Sequence, residues 1–261
     1  MTPASAPQAP IPASATVASI HQPHYLPWLG LVAKIACSDV FIYLDNVQFE
    51  KNGWQNRQRY STDQGLRFLS LPVQQQGVVS RQLEIREVRL ADPRAPLKHW
   101  KTLSQRYGKR PGWPRLAPRL EAILLGSHEK LISLCLATME LTLDVFQVKP
   151  RILFASDLPV EGQKSERVVN LLKAAKATHY LSGEGARAYL CASAFEQNGL
   201  GLSFQEFTDP VYPQSTRQPF TPAAFALEWY IEDPDNAAAA FHEHLRRNTS
   251  QPPRCVGDAA Q

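Results

Sequence analysis

Two imidazoles three positions apart, His21 and His24, lie in the run Ile20-His21-Gln22-Pro23-His24-Tyr25. An imidazole titrates near neutral pH, so a pair of them beside amides and a carboxylate suits proton transfer. The amides and the acid follow at Asp45, Asn46 and Gln48. In such a site His21 or His24 deprotonates an acceptor amine or hydroxyl, and Asp45 orients the base. Gln22, Asn46 and Gln48 then hold donor or acceptor carbonyl groups. The same residue types also furnish ordinary surface turns, Asp-Asn being a common turn pair. A serine hydrolase is poorly supported, because G-x-S-x-G does not occur. A metal is not expected either: Pro23 separates the two His, and no third ligand stands out. Cys37, Cys135, Cys191 and Cys255 form no C-x-x-C pair and read as free thiols in a reducing cytoplasm.

These residues need a frame. Val17 to Ile20 is a short apolar run that predicts a buried strand ending at the first His. Pro23 and Pro27 keep the next residues out of a helix. Leu29 to Ala36 predicts an apolar helix, and Val40 to Leu44 a second strand that runs into Asp45-Asn46. A strand–helix–strand unit of this length implies parallel strands with their carboxyl ends on one edge, where open α/β sheets bind ligands. His21, Gln22, His24, Asp45, Asn46 and Gln48 would then share one crevice.

The following piece is crowded with polar groups, including Lys51, Gln55, Arg57 and Arg59 around Trp54. It offers a flat apolar face and a planar fork for carboxylate or phosphate; an exposed amphipathic segment has the same composition. Leu66 to Val73 and Ile85 to Leu90 alternate as strands do. Pro96 to Tyr107, Arg119 to Leu125 and Glu129 to Phe146 predict helices, the last apolar nearly all round and therefore buried. Ile152 to Ala155 predicts another strand and Ser165 to Ala177 an amphipathic helix. Lys164 and Arg167 at its start oppose the helix dipole by about 0.3–1 kcal/mol each, which a bound anion would relieve; ordinary surface cations would look the same. His179 to Leu181 predicts a strand entering Ser182-Gly183-Glu184-Gly185, whose glycines either admit a ligand close to the backbone or merely make a turn. Leu202 to Phe207 is a last strand, and Asp235 to Arg247 a last helix.

The fold class is therefore α/β: a mostly parallel sheet of strand–helix–strand units, with a helical insertion at about 96–147 and some antiparallel strands. One domain spans 17–247, between a disordered Pro/Ala/Ser tail at 1–16 and a second disordered tail at 248–261. Apolar content of 44% and charge of 20% fit a soluble globular chain. Lys plus Arg (28) exceed Asp plus Glu (24) by only four, which does not indicate a nucleic-acid partner. No span is apolar enough for a membrane, and the first residues lack the charge and apolar core of a signal peptide, so the cytoplasm is expected. Lys98 to Arg119 holds seven basic residues and no acid, with Trp100, Tyr107 and Trp113 interleaved. That is a solvated face or a dock for a polyanion such as an acyl or peptidyl carrier protein. His99 would serve the active site or cap a helix.

Several stretches together resemble the WbqC-like protein family over roughly Ser19 to Ala240. They are HQPHYLPWLG, DVFIYLDNVQFEKNGWQNRQRY, Leu71-Pro72-Val73, the segment from His99-Trp100 to Tyr107, YLSGEGA at 180–186, and Tyr212-Pro213-Gln214 with Phe220. The resemblance implies a place in bacterial O-antigen and related sugar assembly, with glycine transfer onto a sugar as the suggested activity. It also implies that the loop with Tyr212 and Gln214 folds over the site. A second, local similarity is to pantothenate synthetase among the HxGH nucleotidyltransferases: H-x-x-H after a first strand and N-x-Q-F after a second. That similarity implies that His21 and His24 hold an ATP phosphate and Gln48 a carboxylate. Gln22-Pro23 stand where that family has a glycine, which leaves ATP use open. The leading expectation is an acyl or aminoacyl transferase with a small-molecule or sugar acceptor. The rival is a non-catalytic module that binds a sugar nucleotide or a carrier protein.

Overall fold

In the computed structural model, which describes residues 10–51, 53–74, 83–217, 220, 224–249 and 251–255, the short apolar runs become strands of one sheet. The first unit is β1 (Val17–His21), α1 (Leu29–Ala36) and β2 (Val40–Tyr43). The chain then leaves the sheet for an antiparallel hairpin, β3 (Arg57–Thr62) and β4 (Gly65–Ser70), and three helices. These are α2 (Ala95–Tyr107), α3 (Trp113–Leu125) and α4 (Leu131–Val145). It returns as β5 (Arg151–Phe154), α5 (Lys164–Ala174), β6 (His179–Ser182), α6 (Ala192–Glu196) and β7 (Gly201–Phe204). Helices α7 (Leu227–Glu232) and α8 (Ala237–Asn248) follow.

The five strands of the main sheet are all parallel, in the order β5-β2-β1-β6-β7. This is the expected class: α/β, with a separate antiparallel pair and an inserted helical segment. All four residues of β2 are buried, as in a parallel strand covered on both faces. From β1 the chain builds outward to β2 and β5, then back across to β6 and β7. The order therefore reverses between β1 and β6, and the carboxyl edge at such a reversal opens a crevice. His21 is the last residue of β1 and stands at that edge.

Three elements differ from the sequence reading. Ile85 to Leu90 is not a strand. Ile85–Glu87 form a single 3-10 turn, and the flanking residues make isolated bridges to Gln48, Val73 and Lys130. The alternation is real, but it serves three separate neighbours. Helix α3 begins at Trp113 rather than Arg119, because Pro114 is tolerated in a first turn. Arg57 to Thr62, which begins inside the crowded polar piece where no strand is expected, is a strand whose partner β4 is reached through Asp63-Gln64.

Residues 1–9 and 256–261 of the expected tails lie outside the described residues. Within the stretch past Asn248, Gln251 is buried and its Nε2 donates to the Phe204 carbonyl. Arg254 pairs with Asp39 at 2.9 Å, and Asp39 also accepts the Val17 N–H at 2.8 Å. No helix among the described residues is long and apolar enough to cross a membrane.

Candidate functional site

Pro23 and Pro27 keep the chain after β1 irregular, and the turn lays His24 back beside His21. Their ring centroids are 4.6 Å apart, at 66°. Leu26 closes the turn with φ 45°, a left-handed conformation that disfavours a leucine by roughly 1–2 kcal/mol. Its neighbours hold it there: Thr138 Oγ1 accepts its N–H at 3.1 Å, and Gln58 Nε2 donates to its carbonyl at 2.9 Å. The Trp54 carbonyl accepts the Tyr25 N–H, which pins the segment before β3 against the same turn.

Below His21 lies Lys34, on the otherwise apolar helix α1 and only 3% exposed. Its Nζ donates to the Ile20 carbonyl at 3.1 Å and meets His21 Nδ1 at 3.0 Å. Burial lowers the Lys34 pKa to about 7. His21 is driven well below the usual imidazole value by burial, then by Lys34 and His24. Burial, then Lys34, brings His24 down to about 3. Both rings are therefore neutral at pH 7. A charged Lys34 makes His21 Nδ1 an acceptor and so places the ring proton on Nε2.

Two cavities meet at His21, His24 and Trp54. One, of about 340 Å³, is lined also by Trp28, Gln58 and Arg59. The other, of about 530 Å³, takes in Gln22, Gly162, Gln163, Lys164, Arg167 and Tyr189. Each has the size of a small-molecule site, typically about 300–1,000 Å³. Among the described residues, no acidic one lines either cavity.

Of the residues expected to act together, His21, Gln22, His24, Trp54, Lys164 and Arg167 line this space. Gln55 stands behind Gln22, its Nε2 donating to Gln22 Oε1. Asn46 Oδ1 accepts from Arg167 at 2.6 Å and fixes that guanidinium.

The others lie elsewhere. Asp45 does not orient an imidazole: its carboxylate accepts the Ser156 N–H at 3.0 Å and the Ser156 hydroxyl at 2.7 Å. Lys34 holds the position on His21 that Asp45 was expected to take. Gln48 is exposed and bridged to Glu84, and Lys51 is exposed. Arg57 lies over Phe68 at 4.8 Å, outside both cavities. Tyr25 and His99 bond each other at 2.9 Å in the core, where burial lowers the His99 pKa to about 4. Ser182 is buried and turned to the Gly183 carbonyl, and Glu184 is paired with Arg187. A Cβ at Gly183 would meet nothing within 4 Å, so packing does not require a glycine there. Tyr212 and Gln214 both bond Glu228, away from the His pair.

Most of the basic stretch 98–119 is engaged within the chain. Lys98 pairs with Asp92, Arg110 with Glu232, Arg115 with Asp235 and Arg119 with Asp144. Arg106 donates to the Ser61 and Ser215 carbonyls. Among the described residues, no three His, Cys, Asp or Glu side chains converge where a metal ion could sit.

Lys34 and Trp28 are the functional candidates that the sequence reading passed over. The signal for Lys34 was present: a lone cation in Leu-Gly-Leu-Val-Ala-Lys-Ile-Ala must either reach water or find a buried partner.

A family model described as the WbqC-like protein family matches residues 22–229. The uncharacterized protein Rv1507c of Mycobacterium tuberculosis is 30% identical over 190 residues, a span covering 72% of this chain and 81% of that protein. No solved structure matches. With the turn from Gln22 onward, the hairpin, the inserted helices and every sheet strand but β1 inside the matched span, the chain belongs to the WbqC-like protein family.

Proposed function

We propose that this WbqC-like protein is an acyl or aminoacyl transferase of bacterial surface-polysaccharide or secondary-metabolite assembly, acting in the cytoplasm, with glycine a candidate acyl group. One observation carries the reading. A buried lysine with a pKa of about 7 is hydrogen-bonded to a neutral imidazole that opens on a cavity. A group that loses or gains its proton near neutral pH is what acid–base transfer needs.

The proton has a path. With Lys34 neutral, His21 carries its proton on Nδ1, toward Lys34, and its free Nε2 takes a proton from the acceptor amine or hydroxyl. The Nδ1 proton passes to Lys34 as the acceptor attacks the acyl carbonyl. Lys34 is now an ammonium and His21 holds its proton on Nε2, ready to return it to the leaving group. His24, neutral throughout, hydrogen-bonds the carbonyl or the leaving oxygen.

The test supplies the pure protein with ATP, candidate amino acids and labelled pyrophosphate, and in parallel with acyl thioesters and amine acceptors. Label returning to ATP marks an adenylate donor; acyl transfer from a thioester marks a carrier-bound one. His24→Asn is expected to lower whichever rate is seen about 10- to 100-fold, less than a full general base contributes, with circular dichroism unchanged. The low pKa of His24 also suits plain ligand binding, and so favours a binding module as the second reading. That reading prevails if neither exchange nor transfer is found while calorimetry shows ligand bound without either imidazole.

A further inference from the structure

The two cavities that meet at the imidazoles share Trp54 and otherwise differ in their walls. Lys164 and Arg167 line the larger one. Neither takes part in an ion pair among the described residues. Arg167 spends Nη2 on Asn46, and its Nε is buried without a partner. Lys164 is held at φ 49°, in the left-handed region, beside Gly162 at φ 102°. A lysine in a strained backbone conformation and a half-satisfied arginine thus face a cavity whose lining, among the described residues, includes no carboxylate, although Glu166 stands behind Gly162.

The smaller cavity is walled by indoles. Trp28 and Trp54 line it, and the Arg59 guanidinium stacks 4.9 Å from the Trp54 centroid. Gln58 lines it too, but its amide is already used on the Leu26 carbonyl and the Arg59 N–H. What remains for a ligand is mainly aromatic and apolar surface, together with the Arg59 guanidinium, whose Nε is buried without a hydrogen-bond partner.

We infer that these are the two substrate seats of one transfer reaction. The larger cavity holds an anionic substrate by its phosphate or carboxylate, on Lys164 and Arg167. The smaller holds an apolar or flat group of the second substrate between Trp28 and Trp54. The reacting atoms of both meet at His21 and His24. The inference rests on the transferase reading for its division into two substrates. Two chambers converging on one proton-transfer centre are what a two-substrate reaction requires.

Equilibrium binding tests it without any turnover. Calorimetry with inorganic pyrophosphate, and separately with acetate, is run on the wild type and on Lys164→Gln/Arg167→Gln. The neutral fluorophore N-phenyl-1-naphthylamine reports the indole cavity, with Trp28→Ser and, should that variant fold poorly, the milder Trp28→Leu, since Trp28 lines the smaller cavity and not the larger. The charge variant should bind the anion about tenfold or more weakly and the fluorophore unchanged. The indole variant should show the reverse. Tighter pyrophosphate than acetate assigns a phosphate, and the opposite order a carboxylate. Wild type that binds neither anion, anion binding indifferent to the charge variant, or fluorophore binding indifferent to both indole variants overturns the two-seat assignment. Both bindings present with no exchange and no transfer would sink only the transferase reading.

Discussion

Lys34→Met is expected to lower transfer about 10³-fold and yet to melt higher than the wild type near pH 6. The side chain is 3% exposed and, among the described residues, its Nζ bonds the Ile20 carbonyl and His21. Burial without a carboxylate partner is why its pKa falls to about 7. In the unfolded chain the same amine holds its proton up to about pH 10.4. Between those values the unfolded state binds more protons, so this group makes stability rise with pH from about 7 to about 10. Below about pH 7 both states are charged and the full penalty applies. Methionine has similar length and no charge, so the variant escapes the whole penalty at pH 6 and a smaller remainder at pH 9. Melting curves at the two pH values check this: the advantage of the variant should shrink by roughly half at pH 9. The pH–rate profile gives an independent reading. The wild type should gain activity through about pH 7, and a variant that keeps that limb would remove Lys34 from the proton path.

Glu228→Ala carries the largest expected loss of stability, roughly 3–5 kcal/mol from several buried donors left without an acceptor, or a melting point lower by about 10 °C. Glu228 is 1% exposed. Its carboxylate accepts from Tyr107 OH at 2.6 Å, Ser61 Oγ at 3.0 Å, and Tyr212 OH and Gln214 Nε2 each at 3.2 Å. Burial pushes its pKa up, while the hydrogen bonds from Tyr107, Ser61 and Tyr212 pull it down. The cluster joins α7 to the hairpin, to α2 and to the chain around Tyr212. Alanine would leave buried donors on several of these segments without an acceptor. Glu228→Gln keeps one acceptor oxygen and should lose about 1–3 kcal/mol. Because Tyr212 and Gln214 serve this cluster rather than line the His cavities, Tyr212→Phe should soften the fold and leave pyrophosphate affinity alone. A Glu228→Ala protein melting within about 2 °C of wild type would show that the carboxylate is not the anchor its contacts describe.

The sheet was largely legible because parallel strands covered on both faces are uniformly apolar, as Val40-Phe41-Ile42-Tyr43 shows. The turn that gathers His21, Gln22 and His24 was legible too, since Pro23 and Pro27 leave it no regular alternative. What failed was direction. Asp45 sits where a crevice residue should, but its carboxylate turns to Ser156, 111 residues away, and nothing local announces that. Lys34 stood in plain view within an apolar helix, yet whether a lysine reaches water or dives under a strand depends on what packs above it. Tyr25 and His99 pair across 74 residues, so two polar side chains that looked free for a ligand satisfy each other. The basic face of 98–119 was legible only in part: its counter-charges come from Asp92, Asp144, Glu232 and Asp235, which a window on that segment cannot contain.

Asp39 has a consequence for engineering. It takes the N–H of Val17 and the guanidinium of Arg254, and Arg254 also donates to the Ala15 carbonyl. Residues 15 and 254 are thus hydrogen-bonded neighbours, joined through the loop that precedes β2. A circular permutant that connects this pair through a short glycine–serine linker, and is opened at the exposed Lys109 between α2 and α3, should keep the sheet and both chambers. Its new ends would lie on the helical insertion, leaving the edge with the imidazoles free for an immobilised or fused acyl donor.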